Sequence, residues 1–503
     1  MASVSIPILK RILFSPSKPK PLRLSSLSSA SSVYQPPPTD PIISDAVLIL
    51  THHRSKSRWS TLLSLYPSGF TPSQFSEIAI SVRNNPHLAL RFFLFTRRRA
   101  LCTHSLLSYS TLIHILSRAR LKSRAQSLMS LAFRAARSPD ADSACYETES
   151  QRVLKVFESL VKTYNRCGSA PFVFDLLIMS CLESKKIVGS VEIMRKLMSR
   201  GISPQISTCN ALIWEVSRSR GAFAGYEIYR EVFGLDAESE RDVKWVVRVR
   251  PNVHTFNALM VCFYKEGEME KVKEIWSEME ESSCKPDVYS FSILMEVLCE
   301  ERNMKEAEKL WEEVQVRGLK HDVVVYNTMI GGFCRNLEME RAEEFFREMA
   351  LNRIESTSVT YEHLIKGYCK VGDVDEAMLV YKDMRRKDFR PEASTMDALV
   401  KGLCDEFKVL EALKMLKVAM ADYRFCPTRK SYELLIKGLC EEGKMDEALK
   451  LQAEMMGRGF EPNLVIYSAF IDGYVKQGNE EMAASLKEEM LEALKAQKDS
   501  ACE

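Results

Sequence analysis

The chain repeats itself with a fixed period. Tyr326-Asn-Thr-Met-Ile-Gly-Gly-Phe-Cys, Tyr361-Glu-His-Leu-Ile-Lys-Gly-Tyr-Cys, Met396-Asp-Ala-Leu-Val-Lys-Gly-Leu-Cys and Tyr432-Glu-Leu-Leu-Ile-Lys-Gly-Leu-Cys follow one another at 35 residues, with one 36-residue step. A second segment keeps the same phase, with Ala307, Ala342, Ala377, Ala412, Ala448 and Ala483 in one place of successive units. Most units close on a proline, at Pro204, Pro251, Pro286, Pro391, Pro427 and Pro462. A unit this short cannot bury an apolar face by itself, so the period requires units to stack on their neighbours. Apolar residues at i, i+3, i+4 and i+7 make each half of a unit an amphipathic helix of about 12–14 residues.

Each unit is therefore expected to be a helical hairpin. Gly332, Gly367, Gly402, Gly438 and Gly473 on the first helix and the alanines on the second are expected where the two helices of a hairpin cross closely. Larger side chains there would push the axes beyond the roughly 8–10 Å of a tight pair. The closing proline lacks a backbone donor and fixes the chain's exit, so that each hairpin starts in a constant orientation. Gly at 20 and Pro at 19 lie below average usage for 503 residues, as expected of a mostly helical chain.

The unit, followed from Val323-Val-Val-Tyr-Asn-Thr-Met-Ile onward, resembles the pentatricopeptide repeat. The resemblance implies an all-α fold, a right-handed α-solenoid superhelix of stacked 35-residue helix-turn-helix hairpins. Repeats are assigned to 171–205, 206–252, 253–287, 288–322, 323–357, 358–392, 393–428, 429–463 and a terminal 464–498, with a divergent one at 106–140. The unit at 206–252 carries a 12-residue insertion around Asp236 to Arg248. Residues 41–105 are expected to form N-terminal capping helices, with a helix pair over 72–100, and 141–170 a degenerate helical linker. The intact units have the 35-residue form, so the chain looks like a P-type member with no appended enzyme.

Other chemistry finds little support in the residues. There is no C-x-x-C, and Cys299, Cys334, Cys369, Cys404 and Cys440 keep the repeat's spacing, which reads as small packing residues rather than metal ligands. The eight His are scattered, and neither a phosphate-binding glycine loop nor a nucleophile elbow occurs. No catalytic residue, metal or cofactor is expected. No apolar stretch reaches the roughly 18–20 residues of a membrane span. Residues 1–39 hold ten Ser, seven Pro, five basic residues and no acid, and begin with an apolar basic run. This composition marks residues 1–40 as an organellar transit peptide, mitochondrial by preference with the chloroplast as alternative. Residues 141–503 by contrast carry 51 basic and 63 acidic side chains, a net −12 that argues against a simple basic nucleic-acid surface.

Within the family, the residue at a unit's fifth place and the one at its last place together contact one base of single-stranded RNA, one hairpin per nucleotide. Carried over, Asn257 with Asp287 implies U and Ser292 with Asp322 implies G. Asn210 with Asn252 and Asn327 with Thr357 each imply a pyrimidine, and Ser110 with Asp140 in the divergent unit implies G. Val324, Val359 and Val465 at the second place would flank bases, and Lys265, Arg335, Lys370 and Lys476 would contact phosphates. Asp175/Gln205, Glu362/Glu392, Asp397/Thr428 and Glu433/Asn463 put a carboxylate in the base-reading place. Either those units read poorly, or they have turned to a protein partner. Lys366, Lys401 and Lys437 could offset the repulsion, or form internal ion pairs. The resemblance implies a monomeric, sequence-selective binder of organellar single-stranded RNA in transcript processing, stabilisation, splicing or translation. The alternative is a protein-interaction scaffold within an organellar ribosome or RNA-processing complex.

Overall fold

A computed structural model describes residues 40–52, 59–136, 148–234, 249–423 and 425–499. The expected transit peptide, the insertion around Asp236 to Arg248 and Asp140 lie outside them. All regular secondary structure among the described residues is helical, and the chain divides into two compact units, 1–285 and 286–503.

The first unit opens with α1 (Pro41–His52), the short α2 (Ser60–Leu65), α3 (Pro72–Ser81) and α4 (Pro86–Arg98). Thr71 starts α3 with a reciprocal cap, its hydroxyl accepting from Gln74 N while Gln74 accepts from Thr71 N, and Pro72 sits where the missing donor costs nothing. Phe75, Phe92 and Phe93 form the buried centre of this end. A hairpin follows, α5 (Leu106–Arg118) and α6 (Lys122–Ala135), and then the single 19-residue helix α7 (Glu149–Cys167), which packs on α5 and on the later helix Ile187–Met198. Buried His114 of α5 ties this joint, with Nδ1 2.6 Å from Ser169 Oγ and Nε2 3.0 Å from both Leu160 O and Thr163 Oγ1. Burial holds its imidazole down at about 4, so the joint is built on a neutral ring.

Three hairpins complete the unit: α8 (Phe172–Glu183) with α9 (Ile187–Met198), α10 (Ile206–Arg220) with α11 (Ala222–Phe233), and α12 (Val253–Glu266) with α13 (Met269–Glu281). The second unit holds six more, α14 (Val288–Glu300)/α15 (Met304–Val316), α16 (Val323–Arg335)/α17 (Met339–Leu351), α18 (Ser358–Val371)/α19 (Val374–Arg386), α20 (Ala393–Asp405)/α21 (Val409–Tyr423), α22 (Arg429–Glu441)/α23 (Met445–Gly457) and α24 (Leu464–Lys476)/α25 (Glu480–Asp499). In both units each first helix packs on the next first helix as well as on its own partner. Successive hairpins are thus joined mainly through the first-helix layer.

The last residue of one unit is the N-cap of the next. The side chains of Asn252, Asp287, Asp322, Thr428 and Asn463 each accept from the backbone N–H three residues on. Each such cap stabilises its helix by about 1 kcal/mol. A proline precedes four of these caps and His321 precedes Asp322, and all five cap residues are extended.

The small residues do not all act as the period suggested. Ala307, Ala342, Ala377, Ala412 and Ala448 are completely buried, and in the unit 206–252 their place is taken by Gly225, where a Cβ would come within 2.9 Å of Ser217 Cβ on the same hairpin's first helix. That place does mark a crossing within the hairpin. The first-helix glycines face the previous hairpin instead: a Cβ on Gly332 would overlap the Cys299 sulfur, and one on Gly367 would lie 2.8 Å from Cys334 Cβ and 2.7 Å from Met339 Sδ. Gly438 and Gly473 likewise meet Cys404 and Cys440. The periodic cysteine is therefore pressed by the following hairpin's glycine, and burial pushes the Cys299, Cys334 and Cys440 thiols up to about 12.

Candidate functional site

The fifth-place side chains lie at the junction between one first helix and the N-terminus of the next. Asn210 is buried, its Nδ2 donating to Asn252 Oδ1 at 3.1 Å while its Oδ1 accepts from the Thr255 hydroxyl at 2.7 Å. Asn327 repeats the arrangement, with Nδ2 donating to Thr357 Oγ1 at 3.3 Å and Oδ1 accepting from the Thr360 hydroxyl at 2.6 Å. The structure brings both of these expected pairs together. Ser292 and Asp322 are not joined: the Ser292 hydroxyl donates to Tyr289 O at 2.8 Å, and Asp322 takes the N–H groups of Val324 and Val325. Asn257 belongs to the first unit and Asp287 to the second, where Asp287 caps α14. Ser110 does not present a reading edge, because α7 covers it and its hydroxyl donates to Ser159 Oγ at 2.8 Å.

The carboxylates of the fifth place are used inside the protein. Asp175 Oδ1 accepts Gln205 N at 2.8 Å, and Glu362 Oε1 accepts Glu392 N at 3.0 Å. Asp397 Oδ1 takes the hydroxyls of Thr428 and Ser431, and Glu433 Oε1 takes Asn463 Nδ2 at 2.6 Å. Each carboxylate thus latches the N-terminus of the next hairpin, a role that the sequence reading did not consider. Lys366 lies 3.8 Å from Glu362 and 3.9 Å from Glu392, whereas Lys437 pairs with Glu441 rather than Glu433.

Burial, and secondarily the charge of Glu392, pushes the Glu362 carboxyl up to about 7. Well below pH 4 the folded and unfolded chains both carry this proton and the shift contributes nothing. As pH rises from about 4.3 towards 7 the unfolded chain releases it first, so stability falls across that window and stays lower above it. Glu362→Gln keeps an acceptor for Glu392 N and removes the charge. It is expected to flatten the dependence between pH 5 and pH 8 by about 2–3 kcal/mol in urea unfolding; equal slopes for the two proteins would contradict the assignment.

Around these junctions, Val359 and Val465 are 44% and 48% exposed and Val324 is half-buried, so the second place presents apolar surface. The four basic candidates differ. Arg335 Nη2 lies 2.9 Å from Glu296 Oε1 and its Nε 3.4 Å from Glu300 Oε1, so a phosphate would have to compete with two carboxylates. Lys265 is exposed, with its ammonium 5.4 Å from the Trp214 ring centre. Lys370 and Lys476 are exposed and make no ion pair among the described residues. The neighbour decides: the thirteenth place of a hairpin meets the ninth place of the one before, which is Glu296 beneath Arg335 and Trp214 beneath Lys265. The corresponding residue before Lys370 is Gly331, which offers no charge. Among the described residues no group of three or more His, Cys, Asp or Glu side chains could hold a metal ion, and no helix is long and apolar enough to cross a membrane.

Stacked hairpins joined through capped first helices, with paired polar side chains at several of the joints, define a helical-repeat protein. The PPR repeat family matches residues 251–300, 321–370, 356–405 and 427–468, and the PPR repeat also matches 289–319 and 465–493. A pentatricopeptide repeat-containing protein of Arabidopsis thaliana, At2g15980, is 63% identical over 281 residues, which cover 55% of each chain. Another from the same plant, At1g11710, mitochondrial, is 25% identical over 48% of this chain and 33% of its own length. Most of residues 251–493 is thus built of pentatricopeptide repeats. Maize PPR10 in complex with an 18-nt psaJ RNA element has the same fold, with a TM-score of 0.52 and 18% identity over 90% of this chain and 65% of PPR10. The chain thus spans about half, or less, of the two relatives' lengths and about two-thirds of the solved structure.

Proposed function

We propose that this protein binds single-stranded RNA sequence-selectively in a plant organelle and acts on a transcript by occupancy, without catalysis of its own. The observation that carries the reading is the pairing of Asn210 with Asn252 and of Asn327 with Thr357, two amides held at hairpin joints beside their last-place partners. Such groups match the Watson–Crick edge of an unstacked base, and the exposed Val359 and Val465 offer apolar contact to base faces. Lys370, Lys476 and Lys265 are the best-placed cations for phosphate, and Arg335 is withdrawn from that role by Glu296 and Glu300. The solved complex of PPR10 with RNA supports the class of ligand, and three Arabidopsis relatives named as mitochondrial support the mitochondrion. The 35-residue form of the intact units fits the P-type of the family.

The hairpins at 358–463 enter as weaker readers, because Glu362, Asp397 and Glu433 are already engaged in latching the next helix. Crosslinking of the protein to organelle RNA followed by sequencing, at stated salt, tests the reading. A short footprint whose preference at one nucleotide is lost with Asn327→Ala is the expected result. Recovery of protein partners with no RNA would favour the scaffold.

A further inference from the structure

At two joints a hydroxyl decides which way a reading amide faces. The Thr360 hydroxyl accepts Thr357 N at 3.0 Å and donates to Asn327 Oδ1 at 2.6 Å. The Thr255 hydroxyl accepts Asn252 N at 3.1 Å and donates to Asn210 Oδ1 at 2.7 Å. The first half of each relay is dictated by helix capping, since the N-cap N–H has no partner within the helix and the third residue supplies one. With that lone pair taken, the hydroxyl offers its proton across the joint, at Thr255 to Asn210 Oδ1 at 2.7 Å ahead of Asn252 Oδ1 at 3.1 Å, and a proton selects the amide oxygen over the NH2 group. Nδ2 then turns the other way, towards the last-place side chain, carrying a second N–H beyond the one it gives to Asn252 or Thr357.

Joints without the hydroxyl are built differently. Val325 occupies the third place after Ser292, and Ser292 bonds back to its own helix at Tyr289 O. Ile466 occupies it after Glu433, and Glu433 turns to Asn463. A third-place hydroxyl does not act in this way at every joint, since that of Thr395 makes no hydrogen bond and Glu392 N goes to Glu362 instead; the relay is made where the fifth-place group is the amide of Asn210 or Asn327.

We infer that Thr255 and Thr360 are positioning residues for base selection: they hold the oxygens of Asn210 and Asn327 and leave the NH2 groups turned to the last-place side chains, so these two hairpins select a hydrogen-bond acceptor on the base. In a pyrimidine that acceptor is a carbonyl oxygen or the unprotonated ring nitrogen of cytosine. The inference rests on the RNA-binding reading and adds to it a residue one hairpin beyond the reading pair.

The test is selection from a randomised single-stranded RNA pool by the whole protein and by Thr360→Val and Thr360→Ser, each checked for native helicity and melting. The nucleotide of hairpin 323–357 is identified as the one whose preference Asn327→Ala abolishes. Thr360→Val, equal in shape but without the proton, is expected to lower the base preference there about tenfold and leave the other nucleotides unchanged, and Thr360→Ser to retain it. Thr255→Val makes the same test at hairpin 206–252 should Thr360→Val fold poorly. Preference retained in the valine variants, or lost evenly at all nucleotides, overturns the positioning role. Absence of any enriched sequence with the unaltered protein overturns the RNA-binding reading itself.

Discussion

Tyr326→Ala is expected to cost about 3–5 kcal/mol and to lower the melting temperature of the second unit by roughly 10 °C. The ring is completely buried, 4.8 Å centre to centre from Trp311 in an edge-on contact, so truncation leaves a cavity that α16 and its neighbours cannot close. Its hydroxyl also accepts Asn352 Nδ2 at 2.7 Å and donates to Glu348 Oε1 at 3.1 Å. Tyr326→Phe separates the two contributions. Keeping the ring and losing the hydroxyl is expected to cost about 1 kcal/mol. Thermal and urea unfolding followed by circular dichroism checks both values, and a loss under 1 kcal/mol for the alanine variant would mean that the hairpin is not packed as described.

Gly332→Val is expected to destabilise by about 3 kcal/mol, because the added carbons must occupy the space of Cys299. The sharper result concerns rescue. Cys299→Ala removes the sulfur that a Cβ on Gly332 would overlap, while the Cys299 Cβ stays within 2.9 Å, so the double variant should recover part of the loss and no more. A double-mutant cycle measures this coupling. Were the glycine needed for the crossing within its own hairpin, Cys299→Ala would bring no recovery.

The architecture was legible because its signals recur in phase. The two helices per unit, the buried alanines and the polar residues that start each first helix follow from period, amphipathicity and capping chemistry, all local properties. What escaped was what depends on the neighbouring hairpin. Periodicity places Gly332 on a tight face without saying whether Met339 and its helix or Cys299 of the preceding hairpin presses on that face. Arg335 and Lys370 occupy one repeat place and look alike in sequence, and they part company because Glu296 underlies one and Gly331 the other. Ser110 resembles a reading residue, but α7, which has no repeat partner of its own, lies over it.

The carboxylates were the plainest case. Glu362, Asp397 and Glu433 looked misplaced for a surface facing phosphates, and the structure gives them backbone and side-chain donors at the next helix start. A signal for this was present. Thr208, Thr255, Ser290, Thr360, Thr395 and Ser431 recur at the third place and are all buried, which a capping role alone does not require. The hydroxyls of Thr255, Thr360 and Ser431 find a partner across the joint, in Asn210, Asn327 and Asp397, whereas the Thr395 hydroxyl has none and Glu362 takes the Glu392 N–H directly.

The central claim, one hairpin for one nucleotide in chain order, is tested most directly by enrichment from a randomised single-stranded RNA pool with Asn210→Ala and Asn327→Ala. Two hairpins, 253–287 and 288–322, separate the two altered residues in the chain. Each variant should erase preference at a single nucleotide, and the two erased nucleotides should lie three apart. Erasure at adjacent nucleotides, erasure spread over the whole footprint, or no enriched sequence from the unaltered protein would contradict it.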